Sequence, residues 1–331
     1  MKAVVIFNLG GPDKLDNVKP FLFNLFNDPA ILSIPQPFRY LLAKLVSSRR
    51  NKKAQGIYSY LGGRSPIYPE TQNQADALQK KLGSSYKVFI CMRYWHPMME
   101  DVIEDVLASN PEEIILLPLY PHYSFSTTGS FFEAWKNCMR EKKIDVPVKK
   151  ICCYPHENNF IQSCREVISK TVKECSIPPQ ARFLFSAHGL PQKNIINGDP
   201  YEEQIHITVN HILKDFPSIQ DHVICFQSKV GPLKWLEPST EQEIKRASED
   251  GVPVVIVPIS FVSENSETLY ELDYEYKTYA ESLGINQYYR IPTLGYNTHY
   301  IESLASMVLS DYKALCGADR CQKIFLQQKA A

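Results

Sequence analysis

Neither sign of charge prevails in the 331 residues: 36 Lys and Arg are matched by 36 Asp and Glu. That balance excludes an overall basic field for nucleic acid and an acidic, disordered chain, so partner choice has to be local. Long hydrophobic runs are also missing. The most apolar early stretch, PFLFNLFNDPAILSIPQPFRYLLAKLV, is interrupted by Asn24, Asp28, Arg39 and several prolines, too broken to span a bilayer. The start, MKAVVIFNLGGPD, has too short an apolar run for a secretory signal, and the nine cysteines follow no regular disulfide framework. Reduced thiols and a cytoplasmic location are expected. Strict short-period repeats and low-complexity tracts are lacking as well. The glycines of LGGPD do not complete G-x-G-x-x-G, and Pro12 removes an N–H that a phosphate cradle would use. A tight turn fits that segment better than a nicotinamide-binding loop.

What is present is a recurring alternation. Short β-rich runs, AVVIFNLGG, KVFICMRYW and EIILLPLYP in the first half and RFLFSAHG, HVICFQSK and VVIVPISF in the second, each lead into a turn and then a helical pattern. Continuous apolar strands separated by helices predict parallel sheets covered on both faces. Helices are expected over 97–108, where Met98, Val102, Ile103, Val106 and Leu107 share a face, and over 159–175. The fold class is therefore α/β, with two Rossmann-like doubly wound domains: 1–150, including an apolar lip at about 20–47, and 151–331, ending in a tail. Such sheets hold ligands beyond the carboxyl ends of their strands, and two facing domains would form a cleft.

The chemistry-bearing residues sit at those strand ends. FLFSAHGLP places His188 where a buried strand stops; an isolated histidine there more often caps a core strand, but a parallel strand's carboxyl end is also where a site belongs. VVIVPISFVSENSETLYELD runs from a buried strand into Glu264 and Glu267, then into a helical pattern of Leu269, Leu272 and Tyr276. Each acid alone suits a helix amino-terminus, yet both together are expected to face His188. An imidazole and a carboxylate can accept protons or hold a divalent metal weakly. QSKVGPLKWLEP adds Trp235 as a flat face, while Arg93 and Tyr94, Tyr58 and Ser65, and the cluster Arg49, Arg50, Lys52 and Lys53 supply cations and hydroxyls. The set suits a large, flat, apolar molecule with carboxylates along one edge. Cys152 and Cys153, with Cys316 and Cys321, could contribute thiolates to an iron–sulfur cluster, although scattered buried thiols fit the spacing better.

FNLGGPD, YLGGRSPI, MRYWHP, YPHYSFSTTGS, FSAHGLP, QSKVGPLKWLEP and FVSENSETLYELD resemble, in order and over most of the chain, the ferrochelatases, which insert ferrous iron into a porphyrin. The QSKVGP-x-x-WL segment is more similar to mitochondrial and proteobacterial members, acting on protoporphyrin IX, than to Gram-positive members acting on coproporphyrin. The resemblance implies a chelatase-type fold with porphyrin in the cleft between two Rossmann-like domains, and ferrous iron as substrate. It matches His188 to the family histidine and Glu267 to the family glutamate of metal binding or proton transfer. Glu264 falls at a common acid position, and Asn265 replaces the second histidine of some members. Arg50, Tyr58, Ser65, Arg93, Tyr94 and Trp235 resemble cleft-lining or carboxylate-side positions. The stretch 21–34 resembles a lip that closes over the macrocycle and in some members touches the membrane, which implies peripheral contact at the inner membrane.

Members with a [2Fe-2S] cluster use three tail cysteines and an internal one. Here the tail has Cys316 and Cys321, Phe125 stands at the animal internal position, and Cys152 or Cys153 resembles the bacterial one. Two other functions share parts of the pattern. A chelatase for another tetrapyrrole and metal would keep the whole site, whereas a porphyrin or haem carrier would keep the aromatic and cationic residues without needing an acid beside His188.

Overall fold

The computed structural model describes residues 1–310 and Tyr312. These divide into two compact units, one made of Met1–Cys153 with the described residues from Leu304 on, the other of Tyr154–Ser303.

The first unit contains β1 (Lys2–Asn8), α1 (Val18–Phe26), α2 (Phe38–Tyr60), α3 (Ile67–Leu82), β2 (Tyr86–Met92), α4 (Met99–Ala108), β3 (Ile114–Pro118), α5 (Ser130–Glu141) and β4 (Val148–Lys150). Its sheet is parallel throughout, in the order β2-β1-β3-β4. The second unit contains α6 (Asn158–Glu174), β5 (Arg182–His188), α7 (Gln192–Ile196), α8 (Tyr201–Leu213), β6 (His222–Gln227), α9 (Thr240–Glu249), β7 (Val254–Pro258), α10 (Lys277–Ser282), β8 (Tyr288–Arg290) and the start of α11 (Thr298–Leu309). Its parallel sheet repeats the same plan, β6-β5-β7-β8.

The central strands β1, β3, β5 and β7 are buried almost from end to end, because their Val, Ile, Leu and Phe runs face helices on both sides of the sheet. All six strands read from the sequence are present, and both expected helices form as α4 and α6. The three-residue edge strands β4 and β8 carry no continuous apolar run and were not foreseen. In each unit the strand after the crossover leads into π-helical backbone: Phe125–Gly129 follows β3, and a longer π-helix, Glu267–Tyr276, follows β7.

The LGGPD turn ends β1 by close packing. A Cβ on Gly11 would sit 2.5 Å from Ser65 Oγ, so only glycine lets the Ser65 loop approach. Among the described residues no helix is long and apolar enough to cross a membrane.

Candidate active site

His188 is the last residue of β5, and its backbone N–H donates to Ser260 Oγ at 3.0 Å across the end of the sheet. The next residue must be small: a Cβ on Gly189 would lie 2.8 Å from the Gln227 carbonyl oxygen and 3.2 Å from the Trp235 ring. His188 Nδ1 is 2.6 Å from the Gly189 carbonyl, which can only accept, so Nδ1 carries hydrogen. That leaves Nε2 as the atom that takes or releases a proton, and it faces Glu267 Oε1 at 3.4 Å. Both side chains remain about a third exposed, 36% and 32%.

The electrostatics favour a charged ring. Desolvation pulls the imidazole down, but the charge and hydrogen bond of Glu267, the more distant Glu271 and the Gly189 carbonyl outweigh it, raising His188 to about 9. Behind it, α8 presents Tyr201, a buried phenol that is pushed up chiefly by desolvation, with the Glu267 charge adding to the effect.

The π-helix supplies the acids. With i→i+5 bonding its turn is wider than an α-turn, and residues four apart fall nearly in line. Glu267 and Glu271 therefore follow one another along one side. Glu271 accepts from the Ser228 N–H at 2.9 Å, the Ser228 hydroxyl, Gln227 Nε2 at 3.2 Å and the Tyr276 hydroxyl at 3.0 Å. Burial, and then the Glu267 charge, raise its affinity for a proton, while the Ser228 and Tyr276 hydrogen bonds oppose that rise. Sequence reasoning missed Glu271; the signal was the four-residue spacing within ETLYELD.

Glu264 turns away from His188. It accepts from Arg290 Nη1 at 2.9 Å, the Thr293 N–H at 3.0 Å and Thr268 Oγ1 at 2.5 Å. Arg290, at the end of β8, is largely buried and pairs with Asp273 as well, so it draws Glu264 to its side. Trp235 is half-buried against Gly189 and lines a cavity of about 310 Å³ with Phe226, Gln227 and Tyr279.

The remaining candidates belong to the first unit. Arg50 is exposed on α2, its guanidinium 5.7 Å from the Phe26 ring centroid. Tyr58 is buried in a cluster with Val18, Phe21, Leu22, Tyr94 and Trp95. Ser65 is buried against Gly11 and its Oγ accepts from the Ile67 N–H at the start of α3, 3.3 Å away. Arg93 and Tyr94, expected to line a binding cleft, both bond Asp28: Arg93 Nη2 is 2.6 Å and the Tyr94 hydroxyl 2.9 Å from Asp28 Oδ2.

Cys152 and Cys153 are buried in the first unit's core, their sulfurs 3.6 Å apart. Cys316 and Cys321 lie outside the described residues. Among the described residues no group of three or more His, Cys, Asp or Glu side chains is arranged to hold a metal ion. Two of the four candidate thiolates therefore fall outside the described residues.

A family model described as Ferrochelatase matches residues 1–312. The ferrochelatase of Pelagibacter ubique (strain HTCC1062) is 49% identical over 321 residues, covering 94% of this chain and 92% of the relative. That of Caulobacter vibrioides (strain NA1000 / CB15N) is 46% identical over 311 residues, covering 92% and 89%. Among solved structures, SirB from Bacillus subtilis with Fe3+ superimposes with a TM-score of 0.57 at 13% identity over 93% of this chain and 94% of its own. CbiX, described as the terminal enzyme for siroheme biosynthesis in denitrifying bacteria, gives 0.50 at 13% identity, with 94% and 99% covered. These two likenesses establish a chelatase-type fold.

Proposed function

The chain belongs to the ferrochelatase family, and from that premise we propose how it inserts ferrous iron into protoporphyrin IX to form protohaem, the lyase step that ends haem biosynthesis. Insertion releases two pyrrole protons for each iron, requires the flat ring to bend toward the metal, and requires the iron to shed water. The observation that carries the assignment of roles is the His188–Glu267 pair at a strand end, with Glu271 next in line.

Iron meets the ring beside His188 Nε2. The resting imidazole is protonated, so it must first pass its proton to the Glu267 carboxylate before Nε2 can face the metal or a pyrrole N–H. Glu267 hands protons on toward Glu271, which burial has prepared to hold one. Glu267 acts mainly as this relay, since a carboxylate and an imidazole that held iron tightly would hinder its transfer to the ring. Glu264 supports the same wall by fixing Thr268 on the π-helix against Arg290.

Trp235 offers the apolar wall against which the macrocycle bends, and Arg50 a cation for a carboxylate edge. The lip, about 20–47, covers the ring. Phe38, Tyr40, Leu41 and Leu45 are exposed at the start of α2, with Arg49, Arg50, Lys52 and Lys53 on later turns. That combination supports peripheral contact with an anionic surface at the inner membrane. Insertion assays with protoporphyrin, coproporphyrin and sirohydrochlorin, offering ferrous iron or cobalt, test the function. Turnover with ferrous iron and protoporphyrin is expected, and porphyrin binding without insertion of any metal would refute it in favour of a carrier.

A further inference from the structure

Asp28 is a buried carboxylate of the first unit that the chemistry above does not use. It lies in the lip, two residues after α1, and is only 4% exposed. Its Oδ2 accepts from Arg93 Nη2 at 2.6 Å, the Tyr94 hydroxyl at 2.9 Å and Ser130 Oγ at 2.5 Å. Arg93 Nε donates in turn to Ser130 Oγ at 2.8 Å, closing a ring of charge-assisted bonds between the end of β2, the start of α5 and the lip. Its Oδ1 accepts from the Ala30 N–H at 2.8 Å, while its carbonyl accepts from the Ile31 and Leu32 N–H groups at 3.1 and 2.9 Å. One residue therefore both folds the turn that follows and fastens it to the sheet. Asn24 adds a second tie, its Nδ2 donating to the Tyr94 carbonyl at 3.1 Å.

We propose that Asp28 is a positioning residue: by taking Arg93, Tyr94 and Ser130 it holds the turn at 28–36 in place, and Arg93 serves that turn rather than a substrate carboxylate. This rests on the lip covering the porphyrin, as assigned above. The physical reason is charge. A guanidinium bonded at 2.6 Å to a buried carboxylate has its charge matched, so reaching for a porphyrin carboxylate would strand Asp28 unpaired inside the protein. The carboxylates of the substrate then fall to cations without such a partner.

The test uses the full-length protein with Asp28→Asn, Arg93→Met and the milder Tyr94→Phe, which keeps the ring and removes one donor. The first readout is chymotryptic cleavage at Phe38 and Tyr40, exposed just beyond the held turn. Cleavage there should quicken by about tenfold in Asp28→Asn and Arg93→Met, and less in Tyr94→Phe, as expected for losing one charge-assisted bond. The second is fluorescence-quenching affinity for mesoporphyrin IX and its dimethyl ester, which lacks free carboxylates. Arg93→Met should weaken both by the same factor. A loss confined to the free acid, with cleavage unchanged, would make Arg93 a direct carboxylate contact and overturn the proposal. If Asp28→Asn or Arg93→Met fails to fold, unchanged cleavage in Tyr94→Phe overturns it equally. Absence of iron insertion by the wild-type protein would refute the function above while leaving the cleavage result to stand on its own.

Discussion

His188 keeps its proton against desolvation because a carboxylate waits at Nε2. Its value is raised from an ordinary 6.5 to about 9, so the stabilisation from this pair is fully present below pH 6.5 and is lost as pH rises through about 9. Replacing Glu267 with Gln removes the largest raising influence and leaves the burial. The His188 titration followed by NMR should then fall from about 9 to the ordinary histidine range or lower; an unmoved midpoint would show that Glu267 is not the cause. Turnover of Glu267→Gln should drop by about 10²–10⁴-fold with little change in the apparent iron requirement, as for loss of a positioned acid–base group. Restoration to near wild-type turnover by saturating iron would make Glu267 chiefly a metal ligand. His188→Ala should abolish insertion while porphyrin binding, measured by quenching, survives. His188 and Glu267 could be named from sequence because each follows a buried apolar run. The turning of Glu264 toward Arg290 could not, since Arg290 lies 26 residues further on and meets it only in the folded sheet.

Elements aim these residues. The tight junction at the end of β5 is held by the Gly189 N–H donating to the Gln227 carbonyl at 2.8 Å, which a Cβ on Gly189 would crowd. Gly189→Ala should therefore cost about 1–3 kcal/mol in urea unfolding, the usual penalty for overpacking, and shift the emission of Trp235 as its ring moves. Wild-type stability and emission would mean the junction has slack that the contact distances do not show. The π-helix was legible only as a helix. Its buried positions Thr268, Leu272 and Tyr276 are spaced by four, close enough to α-helical spacing to hide the wider turn. Edge strands of three residues are similarly invisible, because pairing with a neighbour, and not an apolar run of their own, makes them strands.

At the scale of the whole molecule, two units share one strand order, and equivalent ends of their first strands carry different chemistry. β1 ends in Asn8, whose side chain caps the Leu9 N–H at 2.8 Å and bonds Thr71, whereas β5 ends in His188 facing Glu267. One plan thus ends in a backbone cap in the first unit and in the proposed acid–base pair in the second. The chain is neutral overall, so attraction to a membrane has to be local, and the surface proposed for it is the start of α2. Phe38→Ser with Leu41→Ser should reduce sedimentation with anionic vesicles by about tenfold or more, from the lost burial of two large apolar side chains. Equal sedimentation of variant and wild type would remove α2 as the contact.

By itself the sequence determined the class of the fold and pointed to His188 and Glu267 as candidates, which the structure brings within 3.4 Å of each other. Continuous apolar strands alternating with helical patterns are a local property that survives without coordinates, and a polar residue that ends such a strand marks its own place. Only the tertiary structure decided which polar groups satisfy one another. Asp28 finds Arg93 65 residues away and Ser130 102 residues away, and Glu271 finds Ser228 43 residues away. A buried charge is paired with whatever the fold brings within about 3 Å, and that choice has no periodicity for a sequence to display.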